Sequence, residues 1–445
     1  MSIITRFAPS PTGNIHVGNL RIALANKLFS QKLDGKFILR HDDTDLVRSR
    51  SEFSESIRND LLWSGLSWDE EIFQSSRLSL YKEAVIKLKE SGRLYACYDT
   101  REELDLMRRR LLSAGKPPIY DRRGLHLGDA ERIKLESTGR IPHWRFLLDG
   151  NPAKWGDLIR GDQEYNTNNI SDPVLIREDG SYLYTLPSVV DDISCGVTHI
   201  IRGEDHVTNT AVQIQIFEAL GNVKKQILFA HLPLLTDRGG DGLSKRLGSL
   251  SVKDLKESGL EPMAICSFLT YLGTSLPLIA RQELSSLVND FEFSNYSRNP
   301  PKFNQTDLLA LNRQLIREMP FNSVSDRLGI KEADEMFWVS IRENIDSISE
   351  ASEWWNLCQG SGNPIITEQD YLNIAIKLLP KEPWNEDTYG EWVNSLKRET
   401  QRKGRDLFLP LRLAITGKEH GPELKNLLPL IGRERTKLRL MGRSN

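Results

Sequence analysis

The chain has 445 residues, of which 39% are hydrophobic and 27% charged, with a net charge of −2. That length predicts about two to four domains at roughly 100–200 residues each, and the composition excludes a collagen, a mucin-like stalk and a wholly disordered chain. No apolar run reaches the ~18 residues of a membrane span, residues 1–6 lack the features of a signal peptide, and Cys97, Cys195, Cys266 and Cys358 form no Cys-x-x-Cys pair, so a cytoplasmic protein without a disulfide scaffold is expected.

Residues 2–8 read as a short buried strand, since Ile3, Ile4 and Phe7 are apolar or β-branched. Pro9-Ser10-Pro11-Thr12-Gly13 ends it, because proline withholds donors and glycine permits a sharp turn. Residues 20–33 read as a helix, with Leu20, Ala23, Leu24 and Leu28 at helical spacing and Lys27 interrupting the stripe. Gly35 ends that helix, and Lys36-Phe37-Ile38-Leu39-Arg40 reads as the next strand. Strand, turn, helix and strand make a βαβ unit, which predicts a parallel sheet of the α/β class. Residues 56–65 and 80–92 read as further helices.

From 93 to 180 the chain becomes rich in Arg, Gly, Pro and Trp, with a strand-like piece at 143–148, and reads as an inserted α+β module. Apolar order returns at 182–190, where Tyr182 and Tyr184 alternate as in a strand, and again at 197–201. A helix is expected over 210–220 and a strand over 227–235, followed by a polar Gly-rich loop at 236–242. Beyond Asn304 the chain reads almost wholly helical, with loops around Gly329, 360–364 and 417–422. No internal repeat and no low-complexity tract interrupts this order.

The near-neutral total hides an asymmetry. From Tyr371 to Asn445 there are 15 basic and 9 acidic side chains, a net of +6 against −8 for the rest. A polyanionic partner held by the C-terminal part and an ordinary solvated helical surface both fit that pattern.

Two stretches carry chemistry. Pro9-Ser10-Pro11-Thr12-Gly13-Asn14-Ile15-His16-Val17-Gly18-Asn19 joins the first strand to the first helix, where a parallel sheet places ligands and a helix N-terminus offers free N–H groups to phosphates. His16 can donate to a phosphate oxygen as charge develops, and Gly18 lets a flat base lie close to the backbone. Alone, such a His-x-Gly-x is equally a surface histidine after a turn. Gly242-Leu243-Ser244-Lys245-Arg246, after Arg238-Gly239-Gly240-Asp241, places adjacent cations on a glycine-rich loop. That suits a clamp on departing pyrophosphate, and equally a solvated basic turn.

Taken together, these two stretches resemble the paired signatures of class I aminoacyl-tRNA synthetases, usually written HIGH and KMSKS. The chain is further similar to the bacterial-type glutamyl-tRNA synthetases in Arg6-Phe7-Ala8-Pro9-Ser10-Pro11-Thr12-Gly13, Arg40-His41-Asp42-Asp43-Thr44-Asp45 and Gly65-Leu66-Ser67-Trp68-Asp69-Glu70. The likeness continues in order through Asp179-Gly180-Ser181-Tyr182-Leu183-Tyr184, Val189-Val190-Asp191-Asp192, Ile200-Ile201-Arg202-Gly203-Glu204-Asp205 and Pro301-Lys302-Phe303-Asn304. It implies an α/β fold: a Rossmann-type parallel-sheet catalytic domain in two halves (1–92 and 181–235), an inserted acceptor-stem-binding module (93–180), a KMSKS-loop and stem-contact region (236–310) and a helical anticodon-binding region (311–445).

The implied activity is ATP-dependent formation of glutamyl-adenylate and transfer of the glutamyl group to the 3′ end of tRNA-Glu, with charging of tRNA-Gln left open. By this resemblance, Arg6, Ala8, Ser10, Asp42, Tyr184, Ser188 and Arg202 bind glutamate, Arg202 facing its side-chain carboxylate. Arginine suits that task, having directed donors and a permanent charge. Asp42 stands where the family usually has glutamate, and Ser188 where it usually has asparagine. Thr12, His16, Gly18, Asp205 and Lys245 are implied at ATP, and His16, Lys245 and Arg246 as the catalytic groups. Position 242 is glycine where the signature has lysine, which leaves more of the clamp to Lys245.

Magnesium is implied with the nucleotide. Some relatives hold zinc in the inserted module with three cysteines and a tyrosine. Here Cys97 and Tyr120 match, but Asp99 and Gly124 occupy two cysteine positions, so no zinc is expected. Arg108-Arg109-Arg110 and the stretch 398–405 are candidate phosphate contacts, or solvated faces. A monomer is the family expectation. Competing readings are a glutaminyl-tRNA synthetase, a paralogue that glutamylates a modified tRNA base, and a non-catalytic tRNA-binding paralogue.

Overall fold

The computed structural model describes residues 2–221, 227–237, 239–243, 250–360, 362–385 and 387–444. They form two units: Met1–Glu257 with Cys266–Asn304, and Ser258–Ile265 with Gln305–Asn445. No helix among the described residues is long and apolar enough to cross a membrane.

The first unit opens with β1 (Ile4–Phe7), α1 (Val17–Lys32) and β2 (Lys36–His41), the expected βαβ unit. Gly35 makes the return possible. The Lys36 amide donates to the Ile3 carbonyl at 2.7 Å, and a Cβ on Gly35 would lie 2.5 Å from that same oxygen. This sets the parallel register Ile4↔Lys36 through Phe7↔Leu39. After α2 (Ser51–Trp63), β3 (Glu70–Phe73) adds in parallel beside β2.

Next come α3 (Leu78–Glu90), β4 (Leu94–Cys97), α4 (Arg101–Ser113), α5 (Asp129–Ser137) and β5 (His143–Phe146). A hairpin of β6 (Pro152–Asp157) and β7 (Gly161–Asn166) precedes β8 (Val174–Ile176), α6 (Thr185–Ser194) and β9 (His199–Gly203). Then follow α7 (Val207–Ala219), β10 (Leu228–Leu232), α8 (Val252–Glu257), α9 (Pro262–Tyr271) and α10 (Leu284–Asp290).

A second sheet runs β7-β6-β10-β9, with β10 parallel to both β6 and β9 and β7 antiparallel at the edge. The hairpin β6–β7 thus lies within 93–180 in sequence yet pairs with the strand at 228–232. A third, antiparallel sheet is β4-β5-β8. β1 lies beside β9: the Thr198 amide donates to the Ile4 carbonyl at 3.0 Å, and the Ile4 amide to Thr198 Oγ1 at 2.9 Å. The chain therefore leaves β1 towards β2 on one side and has β9 and β10 on the other. That is a topological switch point, where an α/β sheet opens a crevice at its carboxyl ends. A core of Leu186, Val189, Ile200, Ala211, Ile216 and Phe229 packs behind it.

Two local expectations change. The first helix starts at Val17 rather than Leu20, because His16 caps it with its imidazole, a role outside the Ser/Thr/Asp/Asn cap signals. Residues 182–190 are not a strand: Tyr182 makes a single bridge to Ile176, and α6 begins at Thr185. Pro187 sits in the first helical turn, where its missing donor costs little, and Leu186, Val189 and Val190 bury one helical face.

In the second unit the described elements after Asn304 are helices: α11 (Gln305–Glu318), α12 (Phe321–Leu328), α13 (Glu335–Ile341), α14 (Ala351–Gln359), α15 (Gln369–Lys377), α16 (Thr388–Thr400), α17 (Arg405–Thr416), α18 (Leu424–Ile431) and α19 (Arg433–Leu440). Its large buried side chains include Trp338 and Trp392, whose indole N–H groups reach the Met319 and Ala375 carbonyls at 2.8 and 3.0 Å.

Part of the basic charge here is turned inward. Buried Arg439 donates to the carbonyls of Leu357, Gly360 and Ile415, at the C-terminal ends of α14 and α17. Arg435 and Arg412 likewise donate to main-chain oxygens. Arg439 and Arg435 thereby satisfy carbonyls at helix C-terminal ends, which favour a cation, while Arg412 reaches the Pro422 carbonyl ahead of α18. In the 398–405 stretch, Arg402 pairs with Glu368, and Arg405, exposed, lies 3.8 Å from Glu419.

Candidate active site

A cleft of about 610 Å3 opens at the carboxyl ends of β1, β9 and β10. Its lining includes Arg6, Ala8, Ser10, Asp42, Tyr184 and Arg202, and on the other side His16, Gly18 and Asp205. Nine residues singled out from sequence thus converge, from elements far apart in the chain. Thr12 is exposed and lines an adjoining hollow of about 350 Å3, which shares Ser10, Asp42 and Tyr184 with the cleft. Ser188 is wholly buried and does not line the cleft; its hydroxyl accepts from Arg40 at 3.2 Å. Lys245 and Arg246 lie outside the described residues.

His16 is held by its own helix. Its Nδ1 accepts from the amides of Gly18 and Asn19 at 3.0 and 3.3 Å, and Asn19 Oδ1 accepts from the His16 amide at 3.3 Å. With Nδ1 committed as acceptor, the neutral ring carries its proton on Nε2, and burial holds the imidazole below its usual pKa. The result is a fixed Nε2–H donor at the cleft. Gly18 has a local reason as well: a Cβ there would lie 2.9 Å from His16 Cε1. Leu250 and Val252 bond to Val17 and Ile15 at 3.1 and 3.0 Å, so the chain that follows the Ser244–Arg246 signature is pinned beside His16.

Across the cleft, three strands each carry an arginine near their carboxyl ends: Arg6, Arg40 and Arg202, all buried. Arg40 grips Asp42 with two donors, at 2.6 and 3.2 Å, and Asp192 with a third at 2.7 Å. Arg6 shares the same Asp192 oxygen at 3.1 Å. The two carboxylates raise Arg40 well above its usual pKa against the effect of burial. Burial pushes the Asp42 carboxyl up to about 6 in spite of Arg40 and Arg6, with the Asp192 charge adding to the effect. Beside it, Asp191 accepts from Arg77, Gln74 and Tyr81, which anchors α6 to the elements before it.

Arg202 is different. Its donors go to His231 Nε2 at 3.3 Å, Tyr184 Oη at 3.2 Å, Thr210 Oγ1 at 2.6 Å and the His206 carbonyl at 3.5 Å. Every one is neutral, and among the described residues it has no carboxylate partner. Burial lowers its pKa, yet an arginine stays charged. Arg6 and Arg40 thus serve Asp42 and Asp192, while Arg202 is left on this floor with no carboxylate in contact among the described residues. A buried cation of this kind calls for an anion from outside.

Sequence reasoning missed Arg40 and Asp192 as the scaffold of the pocket, although both stand in quoted motifs. The available signal was a charged residue inside an apolar strand, Phe37-Ile38-Leu39-Arg40, which demands a buried partner. It also missed Thr210, His231 and Asp157.

In the antiparallel module, Cys97, Asp99, Tyr120 and Gly124 do come together. Cys97 Sγ lies 3.2 Å from both Tyr120 Oη and Asp99 Oδ2, and the Gly124 amide donates to Tyr120 Oη at 3.0 Å. Arg123 Nε pairs with Asp99 at 2.8 Å, which places a guanidinium at this corner. Burial pushes the Cys97 thiol up, away from the thiolate that ligates metals. No group of three or more His, Cys, Asp or Glu able to hold a metal ion occurs among the described residues.

Comparison with known proteins now adds to this geometry. A family model described as tRNA synthetases class I (E and Q), catalytic domain, matches residues 2–310, and one described as anticodon binding domain matches 367–442. Glutamate–tRNA ligase 2 of Hyphomonas neptunium is 50% identical over 98% of this chain and 99% of its own. The glutamate–tRNA ligase of Azospirillum brasilense is 51% identical over 99% of each. The crystal structure of a glutamate tRNA ligase from Elizabethkingia meningosepticum, in complex with its amino acid, shares the fold with a TM-score of 0.87 at 24% identity, covering 99% of both chains. With half of its residues shared with such relatives from end to end, this chain belongs to the glutamate–tRNA ligases, within the class I tRNA synthetases.

Proposed function

We propose that this chain activates L-glutamate with ATP and passes the glutamyl group to the 3′ end of tRNA-Glu. The observation that carries this reading is Arg202, a buried cation whose partners within the fold are all neutral. Glutamate brings two carboxylates and one ammonium, so one carboxylate is available to meet Arg202. Its side-chain carboxylate meets Arg202 and Tyr184, and its ammonium meets Asp42, whose oxygens keep outward lone pairs while Arg40 holds them from behind. Arg6, Ala8 and Ser10 complete that wall. Ser188 acts through Arg40.

In the first step an α-carboxylate oxygen attacks the α-phosphorus, and the bond to the pyrophosphate oxygen breaks. The His16 Nε2–H donates to phosphate as charge builds, with Lys245 and Arg246 assigned to the leaving pyrophosphate. Gly18 leaves room for the nucleotide, and Thr12 flanks its entrance. Asp205, exposed on the cleft wall, is assigned to the nucleotide, and a magnesium ion on the triphosphate would neutralise its charge. In the second step a ribose hydroxyl of the terminal adenosine attacks the acyl carbon, and AMP leaves. Positioning and electrostatics suffice, with no covalent enzyme intermediate.

On this reading residues 93–180 meet the acceptor stem, 236–310 the signature loop and stem, and 311–445 the anticodon. The module holds without zinc, Arg123 supplying its cation. The enzyme on this reading works as a monomer, in the cytoplasm with its tRNA. The test is charging of separate tRNA-Glu and tRNA-Gln transcripts with labelled glutamate and, in parallel, glutamine. Glutamate-dependent charging of tRNA-Glu supports the reading. Charging with glutamine, or none, overturns it. Glutamate on tRNA-Gln as well would make the enzyme non-discriminating.

A further inference from the structure

Behind Arg202 lies a buried chain of hydrogen bonds that substrate does not reach. Asp157, at the end of β6, and His231, on β10, are both fully shielded from solvent. Asp157 Oδ2 faces His231 Nδ1, and His231 Nε2 faces Arg202 Nε. Asp157 Oδ1 is already committed: it accepts from the amides of Ile159 and Arg160 at 3.0 and 2.9 Å. A carboxylate at Nδ1 makes that nitrogen the donor. Nε2 then keeps its lone pair, the one arrangement that lets Arg202 Nε–H and the Thr210 hydroxyl point at it without donor meeting donor.

We propose that Asp157 and His231 are positioning residues that aim Arg202 at the side-chain carboxylate of glutamate and so strengthen selection against glutamine. This deepens the pocket assignment above and rests on it. The device orients the guanidinium through a neutral acceptor, so its charge is not spent inside the fold. Burial keeps His231 below its usual pKa, with the Arg202 charge adding to the effect. Against the cost of burial, His231 and the amides of Arg160 and Ile159 hold the Asp157 carboxyl low. A carboxylate in direct contact with Arg202 would cancel the charge the substrate needs. One imidazole away, it fixes geometry and leaves the charge in place.

The experiment is steady-state charging by the full-length chain and by Asp157→Asn, His231→Leu and His231→Gln. In Asp157→Asn the amide oxygen must stay on the backbone N–H groups of Ile159, Arg160 and His231, so its NH2 meets Nδ1. The ring then carries its proton on Nε2, against Arg202 Nε–H. The glutamate KM is expected to rise about tenfold or more in Asp157→Asn and His231→Leu, the loss of one aligned charge-assisted bond. The ATP KM should stay within about twofold, and inhibition by glutamine should strengthen relative to glutamate use. His231→Gln, whose amide oxygen can still accept from Arg202, should lie closer to wild type than His231→Leu.

A folded Asp157→Asn enzyme with unchanged glutamate KM overturns the proposal, as does a fall in kcat alone. If Asp157→Asn does not fold, the two His231 variants decide: equal glutamate KM values overturn it. Failure of the wild-type chain to charge tRNA-Glu would instead remove the underlying pocket reading before any variant is made.

Discussion

Replacing Arg202 with glutamine separates binding from stability. Arg202 is buried, and its partners, His231, Tyr184, Thr210 and the His206 carbonyl, are uncharged. Glutamine can still donate to Thr210 Oγ1 or His231 Nε2, and no carboxylate is left behind. What disappears is the charge offered to substrate. A hydrogen bond to a charged group contributes about 1.5–3 kcal/mol, so the glutamate KM should rise about 10–150-fold. The folded state loses a desolvated cation, so the thermal midpoint should hold or rise. Arg40→Gln is the contrast. Arg40 serves Asp42 and Asp192 together, and its loss strands both carboxylates in the interior. Breaking such a buried pair costs about 3–5 kcal/mol, which a melt registers directly. The assay is glutamate-dependent pyrophosphate exchange in the presence of tRNA, run beside thermal melts of both variants. An unchanged glutamate KM in Arg202→Gln, or a melt lowered as far as that of Arg40→Gln, would refute the division of labour between the two arginines.

Gly18→Ala places a Cβ 2.9 Å from His16 Cε1 and should break the imidazole cap of α1. A lowered melt of ~1 kcal/mol, with a larger loss of adenylate formation, is expected; unchanged kinetics would show that the cap does not position His16. The Asp42 carboxyl, raised to about 6 from 3.8, must ionise to receive an ammonium. kcat/KM for glutamate should therefore fall as pH drops through about 6, and Asp42→Asn should erase that inflection. The same raised pKa means that Asp42 favours the folded state below its unfolded value and loses that contribution as pH rises from 3.8 to about 6. Metal analysis of the purified protein should find no stoichiometric zinc, and a chelator should leave its melt unchanged; a zinc-dependent melt would reverse the reading of Arg123 as the cation of that module. Arg108, Arg109 and Arg110 are exposed. If they neutralise tRNA phosphates, changing them to alanine should make the log–log salt dependence of binding shallower by about 0.7–0.9 per phosphate, whereas an unchanged slope marks a solvated face.

Where neighbours in sequence decide a conformation, the sequence was readable. The β1–α1–β2 unit follows from apolar spacing and the punctuation of Pro9 and Gly35, and the helical C-terminal unit from its long periodic segments. The ordered signatures from Arg6 to Asn304 identified the family and most of the cleft wall. Residues 182–190 misled because alternating tyrosines mimic a strand while Leu186, Val189 and Val190 equally make a helical face; packing against the core chose the helix. The C-terminal basic excess was also ambiguous, since a string of charges does not say that Arg439 turns inward to cap helix carbonyls.

By itself, then, the sequence determined the family, the βαβ start and the helical second unit, and it named Arg6 and Arg202 on the cleft. Only the tertiary structure decided that Ser188 is buried against Arg40 and off the cleft wall, that Asp42 shares its cation with Asp192, and that Asp157 and His231 stand behind Arg202. The physical reason is distance along the chain. Arg40 and Asp192 are 152 positions apart, and Asp157 and His231 are 74 apart. Burial forces every charge among them to find a partner, but which partner is set by the order of strands in the sheet.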